Sequence, residues 1–157
     1  VLKDNETPHD YRIKIENKEL NLIKRYNIKK VLEVCSGDGR NLVFFAKQGY
    51  QVIGIESKDE FIIKSKELIN REGVIAEVIK HPIFMKKFPF NDEQFDLIYS
   101  YQYLNHNFKD QIEEVFKEIY RVLKKGGLFS IKITDIEQFN LRRLSGAIYE
   151  EADPEFP

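Results

Sequence analysis

The stretch that decides the fold runs from Val31 to Arg40 and reads VLEVCSGDGR. It begins with β-branched and apolar residues, which are typical of a buried strand, and it ends in the turn-prone Ser36–Gly39. Apolar residues then recur at helical spacing from Asn41 to Gln48, and Gly49 follows where helices commonly end. We therefore predict a strand, a glycine loop and a helix in direct succession.

The same alternation of strands and helices continues along the chain. A short helix is predicted within Asn17–Tyr26, and two longer helices follow the glycine loop. The first of these begins within Ser57–Glu60, where the serine and the glutamate have the spacing of a capping box. The second begins near Asp110 and ends at Lys124–Gly127. The predicted strands are Lys30–Cys35, Gln51–Glu56, Ile75–Ile79, Phe95–Tyr99 and Leu128–Ile133.

This order of elements predicts an α/β fold. Strands that alternate with helices at this spacing form a doubly wound Rossmann-like sheet, here of five parallel strands with helices on both faces. Ligands of such sheets bind outside the carboxyl ends of the strands. We therefore expect a binding site where the loops that follow the predicted strands meet.

Composition favours a single domain over residues 1–157. Of the 157 residues, 42% are hydrophobic and 32% are charged, which is enough apolar material for one core. We divide the domain into a helical segment (1–29), a Rossmann-like core (30–133) and a C-terminal extension (134–157). The 25 basic residues balance 26 acidic ones, so charge indicates neither a nucleic-acid partner nor a membrane surface. With one cysteine, and without a signal peptide or spanning segment, we expect a cytoplasmic protein.

Three residues predict a nucleotide cofactor. Gly37 and Gly39 lie between the first strand and its helix, where a missing side chain lets a ligand approach the backbone N–H groups. Glu56 ends the second strand, where a carboxylate can accept hydrogen bonds from both hydroxyls of a ribose. A dinucleotide fingerprint has a small residue three positions after Gly39, and this sequence has Leu42 there. Leu42 therefore counts against NAD as the cofactor.

The stretch Val31–Arg40 resembles the first motif of the class I S-adenosylmethionine (SAM) dependent methyltransferases. Three further segments are similar to later motifs of that family, in the same order and spacing. They are Val52–Ser57 at the second strand, Phe88–Phe90 with Phe95–Ile98 at the fourth, and Glu118–Gly127 before the fifth. The resemblance covers roughly two-thirds of the chain. It implies SAM as the cofactor and methyl transfer as the reaction.

The resemblance also implies roles for individual residues. Glu33 would lie near the methionine part of SAM, and Glu56 would hold the ribose. Ser100 and Tyr101, after the fourth strand, would border the donor sulfur and the acceptor. The residues implied in cofactor binding are Glu33, Cys35, Gly37, Gly39, Glu56, Ser57 and Ser100.

Two departures from the family's pattern are visible. Cys35 stands where the family usually has its first glycine, and no carboxylate occupies the usual adenine position among His81–Met85. We interpret Cys35 as a small apolar residue at the end of a buried strand, because no activating partner for a thiolate is evident. His9, His81 and His106 lack metal-ligand spacing, so no metal site is predicted.

Two residues after the fourth strand are candidates for catalysis. His106 would stand near the mouth of the site, where it could help to deprotonate an acceptor. Tyr101 belongs to an aromatic run, with Tyr99, Tyr103 and Phe108, that could line an acceptor pocket or simply pack. We predict transfer of a methyl group from SAM to a small-molecule or unidentified acceptor. Two alternatives stay open: a NAD-dependent oxidoreductase, and a catalytically silent methyltransferase-like domain that binds a protein partner.

The C-terminal extension shows no sign of the strand pair with which the family's sheet normally continues. The dipeptide Ser145–Gly146 and the acidic stretch Glu150–Pro154 argue against paired strands there. The fifth strand would then form an exposed sheet edge. We therefore expect the chain either to be a trimmed version of a longer methyltransferase or to cover this edge by pairing with another copy.

Overall fold

Five strands form one parallel sheet with the first strand at its centre. The computed structural model describes residues 17–83, 87–101 and 109–132. Within these ranges the strands are β1 Lys30–Val34, β2 Gln51–Glu56, β3 Glu77–Lys80, β4 Phe95–Tyr101 and β5 Leu123–Lys132. Their order is β3-β2-β1-β4-β5, and each neighbouring pair is parallel. The strand order reverses between β1 and β4, which makes this the switch point of the sheet, and the predicted parallel α/β sheet is confirmed.

Helices cover both faces of the sheet, as predicted. They are α1 Asn17–Arg25, α2 Arg40–Lys47, α3 Asp59–Glu72 and α4 Lys109–Val122. Side chains of α1, α2 and α3 pack with Val31 and Leu97 in one apolar cluster, and side chains of α4 pack with Leu32 and Ile98 in a second. Because successive residues of a strand point to opposite faces, β1 and β4 are buried on both sides, which accounts for their nearly continuous apolar sequences. None of the helices in the described ranges is long and apolar enough to cross a bilayer.

The structure corrects the predicted start of α3. The expected capping box of Ser57 and Glu60 is absent, because α3 begins at Asp59 with Lys58 as its N-cap and without a side-chain cap. Instead, the carboxylate of Glu56 accepts the backbone N–H groups of Ser57 at 2.8 Å and Lys58 at 3.0 Å. Glu56 Oε1 thus accepts the Ser57 N–H, which in a capping box would be accepted by the Glu60 side chain.

The edge strand β3 is shorter than predicted. It begins at Glu77, whereas the side chain of Ile75 is 93% exposed in the segment before it. A β-branched residue carries the same local signal in a strand and in the connection that leads to it. Only the pairing of Ile53 with Glu77 marks where the ladder between β2 and β3 starts.

The boundary between α4 and β5 also differs from the prediction. Helix α4 ends at Val122 and β5 begins directly at Leu123, so Lys124–Gly127 belongs to the strand rather than to the helix end. The ladder between β4 and β5 shifts in register between Phe95 and Leu97, which accommodates this irregular start. Residues 134–157 lie outside the described residues, and the expectations about a missing strand pair and edge pairing stay predictions.

Asp96 links neighbouring strands at the amino end of the sheet, opposite to the expected site. Its Oδ2 accepts the backbone N–H groups of Lys29 at 3.0 Å and Lys30 at 2.8 Å, and its Oδ1 accepts Lys124 Nζ at 2.7 Å. Burial alone would raise the pKa of Asp96, but these three hydrogen bonds outweigh it and hold the pKa below its ordinary value. Asp96 therefore joins the start of β1 to β4 and β5.

An arginine on α4 clamps the segment that leads into β4. The guanidinium of Arg121 donates to the Phe90 carbonyl at 2.9 Å, to the Phe88 carbonyl at 3.1 Å and to both oxygens of Glu118 at 2.9 and 2.6 Å. Glu118 in turn accepts the Phe88 N–H at 2.7 Å. The hydrogen bond from Arg121 is the main cause that lowers the pKa of Glu118. Side chain and backbone therefore form one connected network here.

Candidate cofactor-binding site

The glycine loop, residues 35–39, joins β1 to α2 through left-handed backbone conformations. Cys35, Gly37 and Gly39 have φ angles of 64°, 54° and 83°. The loop is attached to the neighbouring strand, because the N–H groups of Cys35 and Ser36 both donate to the Ile55 carbonyl, at 3.0 and 3.1 Å. A residue with a Cβ atom loses roughly 1 to 2 kcal/mol in this region, which explains the glycines and makes Cys35 a strained position.

Two glycines allow other elements to approach this loop. A Cβ on Gly39 would lie 2.7 Å from Ser65 Oγ and 2.9 Å from Ser65 Cα, so α3 packs against the start of α2 only because Gly39 lacks a side chain. A Cβ on Gly54 of β2 would lie 2.7 Å from both Cβ and Oγ of Ser36. Ser65 Oγ also donates to the Gly37 carbonyl at 2.8 Å. Gly54 and Ser65 thus position the loop. The sequence contained no sign of this for Ser65, and for Gly54 the only sign was a glycine inside a strand.

Gly37 faces open space. A Cβ built on it would meet no atom within 4 Å, in contrast to Gly39 and Gly54. Its φ of 54° lies in the left-handed region that favours glycine, and the space beside it leaves the backbone accessible. The open space beside the Gly37 backbone, which we call the cradle, is therefore accessible to a ligand.

Glu56 borders the cradle from β2. Its side chain is only 2% exposed, and its Oε2 accepts the Gly37 N–H at 2.9 Å. Its Oε1 accepts the N–H groups of Ser57 and Lys58. These backbone donors hold the carboxylate in one orientation beside the glycine loop.

Glu33 lies in β1 with one oxygen unpaired. The residue is 1% exposed, and its Oε1 accepts Asn41 Nδ2 at 2.6 Å, whereas Glu33 Oε2 and Asn41 Oδ1 have no partner. Burial raises the pKa of Glu33 to about 8, against the lowering effect of Asn41, and the charges of Asp38 and Glu56 add to the rise. Buried polar atoms without partners are uncommon and cost free energy, so a ligand that donates hydrogen bonds fits this pair.

Cys35 does not have the surroundings of a nucleophile. Its thiol is buried, and burial first, then the nearby carboxylates of Glu56 and Glu33, raise its pKa well above the ordinary value. A thiol in such a place stays protonated and unreactive. This agrees with its interpretation as a small apolar residue.

The model of a family described as a methyltransferase domain matches residues 31–127, from the start of β1 to the irregular start of β5. The chain belongs to this family. Among the curated relatives of this methyltransferase domain, the sterol 24-C-methyltransferase of Aspergillus fumigatus is 35% identical over 107 residues, which are 65% of this chain and 27% of that protein. An uncharacterized methyltransferase of Synechocystis is 25% identical over 103 residues, 66% of this chain and 46% of that protein. The domain therefore spans less than half the length of either relative.

Solved structures share the fold of this methyltransferase domain. The PH0226 protein from Pyrococcus horikoshii superposes with a TM-score of 0.74 at 29% identity, over 88% of this chain and 60% of that one. A SAM-dependent methyltransferase from Methanosarcina mazei gives a TM-score of 0.68 at 22% identity, over 78% of this chain and 62% of that one, which shows the fold alone.

Ser100 and Tyr101 lie at the switch point of the methyltransferase domain. Ser100 is fully buried, and its Oγ donates to the Val34 carbonyl at 3.2 Å, just beyond the last paired residues Glu33 and Tyr99. Its hydroxyl thus bridges β1 and β4 where their ladder ends. Tyr101, which ends β4, is half-buried and packs against the apolar cluster that contains side chains of α1, α2 and α3.

The structure brings the predicted cofactor residues together at the carboxyl ends of β1, β2 and β4. The residues placed there are Glu33, Cys35, Gly37, Gly39, Glu56, Ser57 and Ser100. The candidate base His106 lies outside the described residues, and so do Tyr103 and Phe108 of the aromatic run. In the described part of the chain, no three His, Cys, Asp or Glu side chains are grouped so that they could hold a metal ion.

His81 is a further polar residue at this edge, and the sequence did not assign it to the site. It is the first residue after β3, it is buried, and its backbone N–H donates to the Glu56 carbonyl at 2.8 Å. Its Nε2 lies 3.1 Å from the Lys87 carbonyl, and its Nδ1 is buried without a partner. The ring also makes an edge contact with Phe88, at 5.7 Å between centroids.

Proposed function

We propose that this domain transfers a methyl group from SAM to a small-molecule acceptor. The observation that carries the proposal is the open cradle at Gly37, bordered by the Glu56 carboxylate and lying next to the unpaired Glu33 Oε2. Membership in the methyltransferase domain family over residues 31–127 supports the same cofactor. The near balance of 25 basic and 26 acidic residues favours a small molecule over a nucleic acid as acceptor.

The residues of the cradle fit the parts of SAM. Glu56 would accept hydrogen bonds from the ribose hydroxyls, as a carboxylate at the end of a second strand does in nucleotide-binding sheets. Glu33 Oε2 and Asn41 Oδ1, both buried and unpaired, would receive the ammonium group of the methionine part. Gly37 would leave room for the cofactor against the backbone, and Cys35, Gly39 and Ser57 would shape the loop around it.

SAM, when bound, supplies a methyl group activated by a positively charged sulfur, so the chain's own residues need to bind, orient and exclude water rather than generate the reactive group. Ser100 and Tyr101 would border the site where acceptor and methyl group meet, at the end of β4. His106 would take a proton from an acceptor that must lose one. An acceptor that is already nucleophilic would need no base.

The acceptor is proposed as a class rather than as a compound. The Aspergillus relative is a sterol 24-C-methyltransferase, but this chain covers 27% of it, so most of that protein has no counterpart here. Specificity in such folds lies in loops and appended segments rather than in the sheet. Sterols therefore belong in an acceptor panel together with small amines, phenols and thiols.

Isothermal titration of the full chain with SAM, S-adenosylhomocysteine and NAD tests the cofactor. We expect both SAM and S-adenosylhomocysteine to bind in a ratio of one to one and NAD to give no heat. Transfer of a labelled methyl group to members of the acceptor panel then tests the reaction. Binding of NAD alone would favour the alternative of an oxidoreductase, and a folded chain that binds none of the three would favour the silent interaction domain.

A further inference from the structure

Asn41 is a buried polar residue of the cofactor site that the sequence did not assign to it. It is the second residue of α2, and its Nδ2 donates to Glu33 Oε1 at 2.6 Å. Both side chains are buried, and Glu33 Oε2 and Asn41 Oδ1 have no partner. The two residues are thus joined by one hydrogen bond, and each keeps one oxygen for a ligand.

The carboxylates around Glu33 disfavour its charged form. The titratable groups that face it from other parts of the chain are Cys35 and Asp38 of the glycine loop, Glu56 of β2 and Tyr99, its ladder partner in β4. Burial is the main cause that raises the pKa of Glu33, and the charges of Asp38 and Glu56 add to the rise. Arg40, which begins α2, is paired with Asp38 at 3.1 Å. The hydrogen bond from Asn41 acts in the opposite direction and lowers the pKa of Glu33.

Glu33 therefore has two forms on which the Asn41 amide acts differently. Without a ligand, burial keeps a proton on the carboxyl group at neutral pH, because the pKa is about 8. An ammonium ligand needs the carboxylate, since a protonated carboxyl group carries no charge to pair with it. Nδ2 donates more strongly to a charged oxygen than to a neutral one, so Asn41 favours the form that the ligand needs.

We propose that Asn41 is a positioning residue that holds Glu33 as a carboxylate in the cofactor complex, so that binding exchanges the proton of Glu33 for the ammonium group of the ligand. The O–H bond of the carboxyl group breaks and its proton passes to the solvent, whereas the ammonium group keeps its own protons. The affinity for the cofactor therefore falls as the pH decreases. The inference rests on the proposed function, because it requires SAM or its product S-adenosylhomocysteine as the ligand.

Calorimetry of the full chain with S-adenosylhomocysteine tests the exchange. Titrations at one pH in two buffers of different ionisation enthalpy measure the protons that are released. We expect about one proton per ligand near neutral pH, and an affinity that rises roughly tenfold from about pH 6 to about pH 7, where the ammonium group stays largely charged. Glu33→Gln should bind more weakly and release no proton. Binding to the wild type without proton release, at an affinity independent of pH, would overturn the proposal.

The variant Asn41→Leu tests the contribution of the amide. Leucine is similar in size to asparagine, but it has no donor for Glu33. We expect an affinity at least roughly tenfold below that of the wild type at about pH 7, and a smaller loss at about pH 9, where much of Glu33 is ionised before the ligand binds. Titration of the ligand itself affects both proteins alike and cancels in this ratio. A loss of the same size at every pH would mean that Asn41 only supports the fold, and would overturn the proposal.

Two further variants complete the comparison. Asn70→Leu on the exposed side of α3 is the matched control, and it should bind like the wild type at both pH values. If Asn41→Leu does not fold, Asn41→Ser takes its place. The serine hydroxyl ends one bond short of the position of the amide nitrogen, so the same dependence of the loss on pH is expected.

Carbon-13 NMR of glutamate-labelled wild type reports the charge of Glu33 directly, whether or not the variants fold. The carboxyl signal of Glu33 is the one that is missing from Glu33→Gln. At about pH 7 we expect the signal of a protonated carboxyl group in the free chain and that of a carboxylate after saturation with S-adenosylhomocysteine. A carboxylate in the free chain, or a protonated group in the complex, would overturn the proposal. Failure of the wild type to bind S-adenosylhomocysteine at all would instead overturn the proposed function, and this inference with it.

Discussion

Glu56 combines structural contacts with a proposed contact to the ribose. Glu56→Gln removes the negative charge and keeps one acceptor oxygen, but its amide nitrogen faces either the Gly37 N–H or the N–H groups of Ser57 and Lys58, so the variant also loses some folding stability. We expect the affinity for SAM to fall by about 1.5 to 3 kcal/mol, the range for hydrogen bonds to a charged group. Titration calorimetry measures this, and Glu77→Gln on the exposed start of β3 is the matched control. Unchanged affinity in a folded Glu56→Gln would remove Glu56 from the site.

Gly37 has a counterpart elsewhere in the chain with nearly the same backbone. Gly73, the C-cap of α3, has a φ of 63° against 54° for Gly37, and a Cβ on either residue would meet no atom within 4 Å. Replacing either glycine by valine should therefore destabilise the fold by a similar amount, on the order of 1 to 3 kcal/mol. Only Gly37→Val should abolish SAM binding, because only that side chain would fill the cradle. If Gly37→Val binds SAM as Gly73→Val does, the glycine loop is merely a turn.

Glu33 makes the stability of the unliganded chain depend on pH. Its pKa rises from 4.5 to about 8 on folding, so the folded state holds a proton that the unfolded state releases. The contribution of Glu33 to the free energy of unfolding is therefore fully present below pH 4.5 and decreases as the pH rises toward 8. Above that pH the contribution no longer changes. Glu33→Gln should remove this decline and be more stable than the wild type at pH 8 by on the order of a few kcal/mol.

Urea titrations at several pH values between 5 and 8 measure the effect of Glu33. The difference in unfolding free energy between Glu33→Gln and the wild type isolates this residue, since all other groups titrate in both proteins. The exposed Glu77→Gln should leave the wild-type slope unchanged. A constant difference across the range would show that Glu33 is ionised in the folded chain.

At the scale of the elements, the clamp between α4 and the segment before β4 depends on the shape of Arg121. A lysine in its place has a single ammonium group, which cannot serve the carbonyls of Phe88 and Phe90 and the Glu118 carboxylate together. We expect Arg121→Lys to lower the free energy of unfolding by about 2 kcal/mol, because partly buried acceptors lose their donors. The exposed pair of Lys117 and Glu114 on the same helix is the control.

The control separates a network from an ordinary surface ion pair. Lys117→Met breaks a pair whose side chains are 69% and 67% exposed, and we expect a change of less than about 0.5 kcal/mol. Chemical denaturation of both variants gives the comparison. Equal small effects would show that the Arg121 network contributes nothing beyond exposed charges.

For the whole molecule, the two apolar clusters lie on opposite faces of the same sheet, so neither can lose its packing without exposing β1 and β4. We therefore expect a single cooperative thermal transition. S-adenosylhomocysteine at about 100 times its dissociation constant should raise the unfolding free energy by about 2.7 kcal/mol, which corresponds to a rise in midpoint of roughly 5 to 10 °C. Differential scanning calorimetry with and without ligand tests both. Two separate transitions, or a shift with NAD but not with S-adenosylhomocysteine, would contradict this.

The sequence by itself determined the order of the elements and the chemistry of the loop that follows β1. These features are local signals: the periodicity of strands and helices, the glycines at 37 and 39 and the carboxylate at 56. A local signal can be recognised without knowing what packs against it. The same locality explains the failures. The predicted capping box at Ser57 was wrong because Glu56 accepts the Ser57 N–H that the box assigns to Glu60. The predicted end of α4 was wrong because Leu123 pairs with Phe95 of β4 and therefore belongs to a strand.

Only the tertiary structure decided which residues from distant parts of the chain support the loop. Ser65 on α3 and Gly54 in β2 gain their importance from close approach to Gly39 and Ser36, which no spacing in the sequence reveals. The strand order β3-β2-β1-β4-β5 likewise depends on ladders between segments far apart in sequence. The raised pKa of Glu33 and the unpaired nitrogen of His81 are consequences of burial. Burial is a property of the packed molecule, because it depends on what surrounds a side chain rather than on which residues precede and follow it.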